Sequence, residues 1–277
     1  MKKILFPTDF SATSLNAFVY ALHLAKNIDA EIITLHVYEY PIGLSVDNDD
    51  FLMENYNVGD WGAFENFKSE VPKLREIAER EGMTHVPVSH MMERGIAVDG
   101  IVNTAANEQA DIIIMGTKGA TGLKEIFLGT ITEKVIKQAK SFVIAVPEGY
   151  RFEPIRKILF LAEYEKLEMD LLKKVKDFAV IFKADIHVLE VKKRNDDAID
   201  ILMAKWKDTF KSDTISFSFI NTDATEDLIL EFIDYQKINM AVMSIHHKNL
   251  FERLFLFSLS RQMAFHSTIP VLGIPAL

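Results

Sequence analysis

The chain has 277 residues, 49% of them hydrophobic and 26% charged, with a net charge of −9 and no cysteine. That profile suits a globular protein with a buried core, and the acidic balance excludes a general binder of nucleic-acid phosphates or anionic membrane surfaces. Without cysteine there is no disulfide or thiolate chemistry, and no apolar stretch reaches the ~18 residues of a membrane span, so neither nucleic acid nor membrane is an expected partner and a reducing, cytoplasmic setting is expected.

The opening MKKILFPTD is too short in its apolar part, and too soon acidic, for a signal peptide. Residues 3–6 form a short apolar run closed by Pro7, a buried strand. Residues 11–25 carry Leu15, Phe18, Val19, Leu22 and Ala25 at helical spacing, with Ser11 or Thr13 as cap. Residues 31–37 read as a strand, 65–81 as a helix with Val71, Leu74 and Ile77 on one face, and 85–89 as a weaker strand interrupted by Pro87. A helix over 100–108, a strand over 111–115, a helix over 130–139 and a strand over 142–146 complete the series. Alternating strands and helices predict an α/β fold, a mostly parallel, doubly wound sheet with helices on both faces.

The pattern then restarts. KKILFPTDFS at Lys2 resembles RKILFLAEYE at Arg156, and AEIITLHVYE at Ala30 resembles ADIHVLEVKK at Ala184, both 154 residues apart (156 − 2 and 184 − 30). Later the offset is 128: Asp99 matches Asp227, Met115 matches Met243, Thr130 matches Ser258 and Pro147 matches Pro275. This is an internal duplication with 26 extra residues (154 − 128) in the first copy, assigned to the stretch 40–67. The expected domains are residues 1–148 and 155–277, joined by a polar linker with Pro147, Gly149 and Pro154. The extra stretch is acidic and holds Phe51, Tyr56 and Trp61; a surface excursion covering its own domain is favoured over a lid or partner-binding loop.

The run from Gly116 to Thr130, GTKGATGLKEIFLGT, carries the chemistry. It follows a strand, where open α/β sheets bind ligands beyond the strand ends. Glycine lets the backbone approach an anion and adopt φ > 0. Gly129-Thr130 opens the next helix, whose first N–H groups are unpaired donors at the positive end of a dipole. Thr130 with Glu133 fits a capping box, or the hydroxyl turns to a phosphate. Asp9, directly after the first strand, either accepts hydrogen bonds from a base or ribose or caps the following helix. Lys118 is either a phosphate partner or a solvated loop lysine.

PTDFS after the first strand, LHVYE on the second, G-x2-G-x9-G-T after the fourth and a last strand ending in Val-Pro resemble the universal stress protein family, over both halves of the chain. The resemblance implies two Rossmann-like domains of the adenine nucleotide alpha hydrolase-like type, each a five-stranded parallel sheet with helices on both faces. It implies an adenine nucleotide as ligand, ATP with AMP or ADP as alternatives, and Mg2+ as a possible companion. Carried over by position, Gly116, Gly119, Gly129 and Thr130 would hold phosphates and ribose, and Asp9 with the backbone of Val37 would hold adenine. Pro7, Thr8, Met115, Lys118 and Ile131 would line the site. Thr117 and Lys118 depart mildly from the family's usual Ser and His or Arg. Association through the last strand is also implied, so the two copies would pair as an intramolecular pseudo-dimer, with a further homodimer compatible.

The second copy has Ser244, His247 and Phe257 in place of the three glycines, Ser258 for Thr130, Glu163 for Asp9, and Leu161 and Ala162 for Pro7 and Thr8. Side chains fill the space a phosphate needs and φ > 0 becomes costly, so nucleotide is expected in the first copy only. His246, His247 and His266 lack the spacing of a zinc site and read as ordinary polar residues, and His23 and His36 as satisfied structural histidines. Three function classes remain. An ATP-binding regulatory protein is favoured over an enzyme, because no Walker A motif or placed base is visible. A slow ATPase and a ligand-free association module are the alternatives.

Overall fold

The computed structural model describes residues 2–39, 49–117, 130–162, 168–192, 197–211, 214–221, 225–244 and 269–274. The first half runs β1 (Lys2–Pro7), α1 (Ala12–Ile28), β2 (Ala30–Tyr38), α2 (Asp49–Arg80), β3 (Val88–Arg94), α3 (Ala97–Asn107), β4 (Ile112–Gly116), α4 (Thr130–Gln138) and β5 (Phe142–Val146). The second runs β6 (Lys157–Ala162), α5 (Glu168–Phe182), β7 (Asp185–Lys192), α6 (Asp197–Thr209), β8 (Ile215–Asn221), α7 (Thr225–Gln236), β9 (Met240–Ser244) and β10 (Val271–Ile274).

These strands form one sheet of ten, in the order β3-β2-β1-β4-β5-β10-β9-β6-β7-β8. Within each set of five all neighbours are parallel, whereas β5 and β10 run antiparallel. Each half is therefore a Rossmann-like α/β unit whose strand order reverses beside its first strand. The central strands are nearly continuous apolar runs because helices cover both faces. One core layer gathers Phe18, Leu22 and Leu24 of α1, Leu74 and Ile77 of α2, and Phe178 and Trp206 of α5 and α6. The other gathers Val98 and Ile101 of α3, Val135 and Ile136 of α4, and Ile229 and Ile233 of α7.

The duplication read from the sequence is reproduced in the pairing register. Lys3 opposite Glu31 becomes Lys157 opposite Asp185, shifted by 154. Ile4 opposite Ile112 becomes Ile158 opposite Met240, and Ile113 opposite Val143 becomes Ala241 opposite Val271. At the seam Ile144 faces Leu272, its own equivalent (272 − 144 = 128), flanked by Val143–Gly273 and Ala145–Val271. Equivalent residues facing one another are the mark of an isologous contact. Each half thereby covers the other's last-strand edge. The connector packs on α1: Phe152 stacks on His23 at 4.4 Å and Tyr150 lies 6.0 Å from Tyr20. Burial pushes the Tyr150 phenol up to about 12.

Two elements differ from the sequence reading. The strand expected over 85–89 begins after Pro87, at Val88, and runs to Arg94; Pro87 has no N–H to give the ladder, but its carbonyl accepts from Ile32. The helix expected from 65 begins at Asp49, so the second part of the extra stretch is an N-terminal extension of α2. The first part, 40–48, lies outside the described residues. Among the described residues no helix is long and apolar enough to cross a membrane.

Candidate nucleotide site

The switch point of the first half lies between β1 and β4, where the chain crosses from one side of the sheet to the other. Four element ends meet there and are tied to each other. Thr8, after β1, shares a hydroxyl–hydroxyl hydrogen bond of 2.8 Å with Ser14 in the first turn of α1. Thr132, in the first turn of α4, donates its hydroxyl to the Gly116 carbonyl at 3.0 Å. The Thr117 N–H donates to the Val146 carbonyl at 3.1 Å, fixing β4's end against β5. Thr8, Ser14, Thr117 and Thr132 are all buried, so each hydroxyl must be satisfied within the protein.

Gly116 is required for a reason the sequence reading did not give. Its backbone is not among those with positive φ. A Cβ there would lie 2.9 Å from Thr13 Cγ2 and 3.1 Å from the Thr13 carbonyl oxygen. The glycine thus lets the N-terminus of α1 close onto β4, a helix–strand approach that brings α1's first turn to the crevice. Ser11 caps that helix by accepting from the Ser14 N–H, as expected, and Asp29 ends it in the left-handed region.

Asp9 is exposed, and its Oδ1 accepts from the Ser11 N–H at 3.0 Å. Its carboxylate therefore shapes the turn before the cap, directly after the end of β1. Pro7 is buried at the end of β1 and Met115 is buried on β4. Val37 packs its side chain against α3, where Gly100 leaves room for it: a Cβ on Gly100 would meet Val37 Cγ2 at 3.0 Å. Leu35 gives its carbonyl to the Thr8 N–H. Strand alternation turns the backbone of Val37 to the same side, two residues beyond the last β1 partner. Thr130 and Ile131 open α4 and are exposed, so this helix end has unpaired first-turn N–H groups beside an apolar side chain. Glu133, the expected capping-box partner of Thr130, pairs instead with Lys137 one turn on. Lys118, Gly119 and Gly129 lie outside the described residues, as do Glu163, His246, His247, Phe257, Ser258 and His266 of the second copy.

One cluster escaped the sequence reading. Phe10, directly after Asp9, has φ +57°, uncommon for a bulky side chain and worth about 1–3 kcal/mol of strain. Its N–H donates to Thr8 Oγ1 at 3.0 Å, and its ring lies 5.3 Å from His36 and 6.0 Å from Phe67 of α2. His36 bonds through Nδ1 to the Thr8 carbonyl at 2.8 Å. A carbonyl only accepts, so Nδ1 carries the proton. His23, within 3.6 Å of Glu81 and stacked on Phe152, is structural as expected.

The second half has Leu161 and Ala162 at the end of β6, so the hydroxyl that ties Thr8 to Ser14 has no counterpart there. Among the described residues no group of three or more His, Asp or Glu could hold a metal ion.

Residues 1–147 match the family model described as the universal stress protein family. A universal stress protein of Methanocaldococcus jannaschii, MJ0531, is 34% identical over 152 residues, which is 52% of this chain and 81% of that protein. A second from the same organism, MJ0577, is 33% identical over 159 residues and 94% of its length is covered. In fold, the chain is similar throughout to a universal stress protein from Archaeoglobus fulgidus, with a TM-score of 0.67 over 99% of this chain and 96% of that one at 20% identity. With more than half of its length matched by the family model and its first half aligned to nearly complete relatives, the chain belongs to the universal stress protein family.

Proposed function

We propose that the protein binds one adenine nucleotide, ATP, in the crevice of its first half and serves as an ATP-binding regulatory protein. The observation that carries this reading is the convergence of Thr8–Asp9, Gly116 and the first turn of α4 at the switch point, held by the Thr8–Ser14 and Thr132–Gly116 hydrogen bonds. The described residues fit the ligand chemically. The exposed Asp9 carboxylate accepts hydrogen bonds from a base or ribose. The α4 N-terminus offers N–H donors to phosphate, and Ile131 offers apolar surface. Gly119, Gly129 and Lys118 complete the phosphate side by their place in the sequence, and Mg2+ can accompany the nucleotide.

The second half, residues 155–277, is proposed not to bind nucleotide, because Ala162 and Ser244 replace Thr8 and Gly116. The units 1–148 and 155–277 are read as two domains of an intramolecular pseudo-dimer, supported by the isologous β5–β10 pairing. A further homodimer would need another surface, since that edge is already used.

Two measurements test the reading. Denaturing the purified protein and identifying what it releases should give about one adenine nucleotide per chain, and calorimetry on the stripped protein should give one site. Two equal sites, or an empty protein indifferent to ATP, would overturn it. At one hundred times Kd, ATP should stabilise the fold by about 2.7 kcal/mol; Gly129→Val should abolish that gain.

A further inference from the structure

We infer that the N-terminal extension of α2 is a positioning arm for the nucleotide site, docked on the β1–α1 turn by Phe67 through His36. The inference rests on the nucleotide reading of that site. Between Trp61 and Pro72, Phe67 is the one buried side chain among the described residues. Its ring lies 6.1 Å from His36, with the planes within 19°, and 6.0 Å from Phe10. Pro72 stands inside the helix between this anchor and Leu74, the first fully buried residue of the part packed on the sheet. Proline gives no N–H to the helix, so the arm is joined through a weakened turn, and Phe67 is its buried anchor among the described residues.

His36 converts that contact into geometry at the site. Its Nδ1–H fixes the Thr8 carbonyl, Thr8 Oγ1 fixes the Phe10 N–H, and Phe10 is held at φ +57° against the other two rings. Asp9 lies between the two fixed residues. A left-handed aromatic residue persists only where its surroundings over-determine it, and here they are supplied by a strand and by a helix extension. In the second half Ala162 stands for Thr8 and Glu190 for His36, at the 154-residue offset, and α6 has 13 residues against 32 in α2. The lock and the arm therefore occur together, in the half proposed to bind nucleotide.

Three variants separate a hydrogen-bonding role from mere packing. His36→Phe keeps a ring and removes the donor; His36→Asn keeps an N–H near the Nδ1 position; Phe67→Ala removes the anchor. Hydrogen exchange of the Phe10 and Ser11 amides is followed in ligand-free protein, with ATP affinity measured in parallel. His36→Phe and Phe67→Ala should each speed exchange at Phe10 by about tenfold, leave the later amides of α1 protected, and weaken ATP by about tenfold at unchanged stoichiometry. His36→Asn, which keeps the donor but not the ring that Phe67 packs on, should fall between the parent and His36→Phe in both readouts. Exchange at Phe10 unchanged in His36→Phe, or rescue by the ring and not by the amide, overturns the inference. If the parent protein ignores ATP, the nucleotide reading fails, and the exchange result still decides the arm.

Discussion

Gly273→Ala tests the seam between the halves. Gly273 lies on β10, opposite Val143 of β5, and a Cβ on it would sit 2.7 Å from Cγ2 and 3.2 Å from Cγ1 of Ile136. Carbon atoms pack at about 3.5–4.0 Å, so the overlap approaches 1 Å. Neither side yields easily. β10 is held between β5 and β9, and Ile136 is buried on α4, where a β-branched side chain has essentially one rotamer. Overpacking of this kind costs about 1–3 kcal/mol. Ile136→Ala alone costs about 2–5 kcal/mol through the lost methylenes and the cavity. In the double variant the added methyl enters the space that Ile136 vacated, so Gly273→Ala should then cost close to nothing. Urea unfolding of the four proteins gives the coupling as a double-mutant cycle, and it should be favourable by roughly the whole cost of the single glycine change. Equal costs in both backgrounds would refute the contact, and with it the packing of a first-half helix across a second-half strand.

Gly116→Ala should destabilise by about 1–3 kcal/mol even without nucleotide, because its Cβ meets Thr13 backbone as well as side chain; a neutral result by thermal unfolding would return this glycine to a purely ligand-facing role. Thr8→Val leaves the Ser14 hydroxyl and the Phe10 N–H without their partner, for a loss of about 1–3 kcal/mol by urea unfolding. Burial holds the His90 imidazole below its usual value, with Arg75 adding to it; burial lowers His187 too, with Lys157 adding and Asp185 opposing. Both stay neutral in the fold at a pH where the unfolded chain binds protons, so the stability they contribute is present above about 6.5 and is lost as pH falls below it. Replacing both with Gln should flatten urea midpoints between pH 7.5 and 5.5; an unchanged slope would assign the acid sensitivity elsewhere.

What the sequence disclosed follows from where the residues sit. Buried strands such as β1, β4 and β5 have continuous apolar runs, after Lys2 and Lys3 in β1, and their limits fell within a residue or two of the expected ones. The edge strand β3 is half polar, VSHMMER, and carries no comparable period; the strand expected over 85–89 was laid across Pro87, whereas β3 starts after it. The start of α2 was hidden because residues 61–72 bury only Phe67 and so present no continuous apolar stripe of the kind that announces a helix. At the site, the placement of Thr8, Asp9 and Gly116 was legible from strand ends and topology. The Phe10–His36–Phe67 cluster was not, because no spacing rule brings together a turn, a strand and a helix that begins inside an insertion.

The duplication explains why the halves could diverge in chemistry and keep their architecture. Register depends on backbone pairing and on apolar alternation, which tolerate exchange among Ile, Leu, Val, Ala and Met; hence Ile4–Ile112 and Ile158–Met240 pair alike. A site depends on particular atoms, and one change removes them: Ala162 cannot make the Thr8 hydrogen bond. At the seam the divergence is complementary. Gly273 against Ile136 is a small residue facing a large one, and Ala145 stands at the first-half position equivalent to Gly273. Fusion of the two copies frees equivalent positions to differ, because each then needs to fit only its own neighbours. Gly273→Ala, which restores the residue of the first half, therefore costs stability alone and close to nothing beside Ile136→Ala.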